Sequence, residues 1–68
     1  MHDKRIWRES IGATLADVAK IVGVDPSLIS YWELGKRNAS PQLLAAWKEA
    51  LRELEAVALK RREEARHG

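Results

Sequence analysis

The chain predicts an all-α fold, a compact bundle of four to five helices with a long helix at its C-terminal end. Three observations carry this. No stretch shows the strict two-residue alternation of apolar and polar side chains that marks a half-buried strand. The interior punctuation is confined to Gly12, Gly23, Gly35, Pro26 and Pro41, which divide the chain into four segments. From Gln42 to His67 neither Gly nor Pro occurs. One unbroken helix of that length would run ~39 Å at about 1.5 Å per residue.

Each segment has its own start and stop signals. The first, about Asp3 to Ile11, carries Ile6 and Trp7 among Arg5 and Arg8 and stops at Gly12. Thr14 is a good N-cap for the second, with Asp17 three residues on in the capping-box position. That helix runs to about Val22, and Val18, Ala19 and Val22 mark its inner face. Gly23 then breaks it, because the turn wants positive φ, which glycine adopts at no steric cost.

Asp25 caps a third helix, and Pro26 takes its first position, where a missing N–H does no harm. Ile29, Trp32 and Glu33 make its inner face, and it ends near Leu34. A polar loop, Lys36-Arg37-Asn38-Ala39, leads to Ser40-Pro41, which repeats the cap-then-proline start. In the fourth segment Leu44, Trp47, Leu51, Leu54 and Ala58 recur at alternating spacings of three and four, as in a helix–helix seam. Leu43, Ala50 and Val57 flank it at every seventh position. The seam decays at Arg61, and the charged run beyond it frays at its end. One core of Ala19, Val22, Ile29, Trp32, Leu44, Trp47 and Leu51 is expected. With no Phe in the chain, Trp32 and Trp47 supply its volume, while Trp7 lies partly exposed.

Two short helices joined by a tight glycine turn form a helix-turn-helix, whose second helix can enter the DNA major groove. The device needs Ala19 to be small, because the helices cross closely there. Composition bounds the alternatives. Sixty-eight residues make one small domain, with 1–53 as its body and 54–68 as a helical extension. That length leaves no separate effector or catalytic domain, and no small-molecule effector is expected. Absence of Cys excludes disulfides, thiolate metal sites and Cys nucleophiles. His2 and His67 sit at the termini, far from metal-ligand spacing, and there is no Gly-rich phosphate loop. Neither an enzyme nor a cofactor or metal is expected. Apolar runs are too short for a membrane span or a secretory signal, so the chain reads as cytoplasmic. Charged residues are 32% of the chain with a net of only +2, which permits a local basic patch without demanding one.

The residues Arg5-x-x-Arg8-x-x-x-Gly12-x-Thr14, Val18-Ala19, Val22-Gly23-Val24, Ile29-Ser30-x-Trp32-Glu33-x-Gly35 and Ser40-Pro41 resemble the phage repressor and Cro type of helix-turn-helix, the XRE family. The pattern covers roughly residues 4 to 51. The resemblance implies a lambda repressor-like domain that acts as a homodimer on a palindromic double-stranded operator. It departs at Leu15, where the family usually has a Gln that holds a DNA phosphate. It also departs in the fourth segment, which lacks the family's common turn before a fifth helix.

On the third helix the outer face is Ser27, Ser30, Tyr31 and Leu34, with Pro26 leading. The resemblance places base contacts on Pro26, Ser27 and Tyr31, and a phosphate contact on Ser30. This face holds no Arg for guanine and no Asn or Gln for adenine. Hydroxyl bonding and apolar contact with thymine methyls remain, so specificity leans on dimerisation and DNA shape. Lys36, Arg37, Asn38 and Ser40 suit phosphate contacts, with Lys20 and Arg5 as weaker candidates; a basic loop also serves simply as solvated surface. Arg8 and Glu33 suggest an internal ion pair tying the first helix to the third. No aromatic-and-basic face for single strands is present.

Leu54, Val57 and Ala58 extend past the expected body and form a strip that a second copy can bury. Two other outcomes stay open for that strip: the helix bends back over its own domain, or the tail is solvated. A rival reading from another class is a protein-interaction module, such as an antitoxin, with the helix-turn-helix as scaffold and the long helix holding a partner protein.

Overall fold

The computed structural model describes residues 3–67, with the side chains of residues 66 and 67 left out of the description. His2 lies outside the described residues. Four helices follow in order: α1 (Asp3–Ser10), α2 (Leu15–Val22), α3 (Pro26–Glu33) and α4 (Pro41–His67). No strand occurs among the described residues. The longest dimension, 42 Å, exceeds the other two, 22 and 17 Å, because α4 is a single 27-residue helix.

The sequence signals act where they stand. Thr14 accepts a hydrogen bond from the Asp17 N–H at 3.0 Å, and Asp17 Oδ2 accepts from the Thr14 N–H at 2.9 Å. This reciprocal capping box starts α2. Gly23 ends α2 at φ 86°, in the left-handed region that disfavours residues with a Cβ. Its N–H and that of Val24 both return to the Ala19 carbonyl, at 2.8 and 3.1 Å.

α2 packs on α3 and on α4, and α1 lies along α4. The core they enclose is Val18, Ala19, Ile29, Trp32, Trp47, Ala50 and Leu51, with Val22 and Leu44 half-buried against it. Trp32 and Trp47 meet at its centre, ring centroids 5.4 Å apart and tilted by 44°. Ala50, on the flank of the seam, is fully buried in the same core.

The strip at the end of the seam lies differently from expectation. Leu54 packs against the core and Ala58 is half-buried. The reason is that the body reaches further along α4 than a minimal core requires. Trp7 Nε1 donates to Glu55 Oε2 at 3.0 Å. Ile11, Gly12, Ala13 and Asp17 face Leu54, Val57, Ala58 and Arg61 across one groove. Val57 stays open, 47% exposed. α4 passes without a break through the expected boundary between residues 53 and 54.

Candidate nucleic-acid interface

The placement of α3 begins at its first turn. Asp25 Oδ1 accepts from the Ser27 N–H at 2.9 Å and from Ser27 Oγ at 2.7 Å. These two bonds hold the Asp25 carboxyl below its ordinary range, the Ser27 hydroxyl contributing most. Ile29, Trp32 and Glu33 are buried. Turning these three inward leaves Pro26, Ser27, Tyr31 and Leu34 exposed, with Ser30 half-buried between the two faces. The hydroxyl hydrogen of Ser27 is committed to Asp25, so toward a base edge this oxygen can only accept.

The inner face is locked by a charged pair. Arg8 Nε donates to Glu33 Oε2 at 2.6 Å and Nη2 to Glu33 Oε1 at 3.1 Å. The third arm, Nη1, donates to the Ala13 carbonyl at 3.0 Å. The fork-to-carboxylate fit fixes angle as well as distance. It ties α1, the turn after it and α3 into one unit. The Glu33 hydrogen bonds raise the Arg8 guanidinium further above its already high ordinary value.

Beyond α3 the chain reverses. Leu34 keeps a helical conformation and Gly35 takes φ 74°. The Lys36 and Arg37 N–H groups then both return to the Tyr31 carbonyl, at 2.9 and 3.4 Å. This fold-back puts the Arg37 guanidinium over the Tyr31 ring, 5.8 Å from its centroid, within reach of a cation–π interaction. Lys36, Asn38 and Ser40 are exposed along the same loop. Ser40 Oγ accepts from the Leu43 N–H at 3.3 Å and so caps α4. Its own hydrogen is left to donate outward.

Pro26 and Ser27 thus stand at one end of the exposed face of α3, and Tyr31 with Arg37 at the other. Lys20 is exposed on α2, and Arg5 pairs with Glu9 at 3.7 Å. Leu15 is half-buried against the core, so this position works in packing where the resembling family has a polar anchor. Sequence reasoning missed the contact between Tyr31 and Arg37. A Gly four residues after Tyr31, followed by a basic pair, is the signal that could have found it.

An all-α domain that buries one side of a short capped helix and presents the other beside a basic loop defines a DNA-binding regulator of the helix-turn-helix class. Family comparison matches residues 4–56 to the family described as Helix-turn-helix, and the chain belongs to it, in its XRE type. The comparisons with curated proteins and with solved structures returned no match. No described helix is long and apolar enough to cross a membrane, and no described cluster of side chains could hold a metal ion.

Proposed function

We propose that the protein is a small cytoplasmic transcriptional repressor of the Cro type that binds a palindromic operator in double-stranded DNA as a homodimer. The carrying observation is the two-sidedness of α3. Ile29, Trp32 and the Arg8–Glu33 pair fix its inner side, while Pro26, Ser27 and Tyr31 stay exposed on the outer. A rigid helix with an open face can enter the major groove without rearrangement.

In this reading Pro26 and the Tyr31 ring meet thymine methyls, and Ser27 accepts from an exocyclic amine. Ser30, Lys36, Arg37, Asn38 and Ser40 contact phosphates and set the register of docking. The dimer contact forms along α4 at Val57, with the accessible edges of Leu54 and Ala58 beside it. A two-fold axis there would present the two copies of α3 to half-sites about one DNA turn apart.

Selection of bound duplexes from a random library at low salt tests this. The expected product is a two-fold symmetric site, and Val57→Glu should convert a sedimenting dimer to a monomer while leaving helicity intact. A selected site without symmetry, or a parent chain that sediments as a monomer at high micromolar concentration, contradicts the dimer.

A further inference from the structure

On sequence the outer face of α3 lacks an arginine for guanine, yet the structure brings one there. We infer that Arg37, held over Tyr31, reads a guanine in each half-site, and that Tyr31 is the residue that positions it. This rests on the DNA reading above and assigns Arg37 a task beyond a phosphate contact.

Two linked features place the guanidinium. The backbone fold-back at Gly35 directs both following N–H groups to the Tyr31 carbonyl, so Arg37 starts over that residue and not further along the loop. The guanidinium carbon then lies over the ring, 5.8 Å from its centroid, inside the range of cation–π attraction. Tyr31 is 41% exposed and Arg37 is itself exposed, so the guanidinium is accessible at the edge of the outer face of α3. A ring face attracts a guanidinium through its charge and takes up none of its N–H donors. Those donors match the O6 and N7 acceptors that guanine shows in the major groove. A lysine in the same place would keep the charge and lose the fork.

A loosely held phosphate contact would behave otherwise. It would weaken binding to every sequence alike and steepen no preference. The reader and the phosphate anchor are therefore separable by discrimination, not by affinity.

The experiment uses the full chain on the duplex it selects from a random library, with circular dichroism checking that each variant folds. The parent should select one invariant guanine per half-site. It should bind that duplex on the order of tenfold more tightly than one in which that G·C pair is exchanged. Replacing that guanine by 7-deazaguanine, which lacks the N7 acceptor, should reproduce most of the loss. Arg37→Lys and Tyr31→Ala should each bring the ratio close to one at that position, with discrimination elsewhere in the site persisting for Arg37→Lys. Tyr31→Phe keeps the ring and should keep the ratio.

Selection without an invariant guanine overturns the inference while leaving the DNA reading standing. So does a ratio unchanged by Arg37→Lys, or one unchanged by Tyr31→Ala. A parent chain that retains no duplex at all removes the DNA reading itself, and the inference with it.

Discussion

Glu33 is the one buried charged residue among those described, 6% exposed, and its carboxylate is matched by the Arg8 fork. Taking both charges out of water costs several kcal/mol, so the net worth of the pair is small. Breaking it is another matter. Arg8→Ala or Glu33→Ala strands one charge, and each should destabilise the fold by about 3–5 kcal/mol. The double variant should lose less than their sum, read from denaturant unfolding of all four chains. Additive losses would mean that the bonds contribute nothing to folding. The pair was legible in the sequence as opposite charges at two positions of a shared pattern. The bond from Arg8 to the Ala13 carbonyl was not, because it depends on the path the chain takes after Gly12.

The capping carboxylates carry a pH signature at the same scale. Asp17 is held below the ordinary aspartate range, first by the Thr14 N–H and then by the Thr14 hydroxyl. Asp25 is lowered in the same sense. A folded-state value below the unfolded one contributes stability above the unfolded value and loses it as pH falls. Stability should therefore decline as pH drops through the ordinary carboxylate range, around 4, and below it. Asp17→Asn removes one of these titrations. Chemical denaturation across that range should show a shallower acid limb for Asp17→Asn, and an unchanged limb would contradict the capping role.

Between elements, the decisive contact is the packing of α2 on α3, and Ala19 of α2 is 1% exposed in the core they share. The chain turns between the two helices through Gly23, Val24 and Asp25 alone. Ala19→Leu should overpack the crossing and cost about 1–3 kcal/mol, seen as a lowered thermal midpoint. A midpoint equal to the parent's would mean that the crossing has room to spare. The caps, the turn and the inner faces of α2 and α3 could be read from the chain because each is set by residues within a few positions. The cover over the far end of α4 could not. Leu54 and Ala58 meet the turn after α1, and Trp7 reaches Glu55 from 48 positions away. Heptad spacing names a face of a helix without naming what lies against it.

Across the whole molecule, a net charge of +2 provides little long-range attraction to DNA. On the proposed function, affinity comes from the few cations placed beside α3, chiefly in the loop after it. Lys36→Ala should weaken binding to all duplexes alike and lower the salt slope by about 1. A slope equal to the parent's would place Lys36 away from the phosphates. The family, the fold and the two faces of α3 were accessible from sequence, since the Ile29-Ser30-x-Trp32-Glu33-x-Gly35 core is a local pattern. The meeting of Tyr31 and Arg37 needed the path of the loop in three dimensions.

The central claim is that the exposed face of α3 reads DNA sequence. Equilibrium binding of the parent and Tyr31→Ala to the selected duplex and to random duplex, at one fixed salt concentration, tests it most directly. The account predicts that Tyr31→Ala loses more affinity for the selected duplex than for random DNA, so that the ratio between them shrinks. Equal loss on both, or no loss on either, would contradict it.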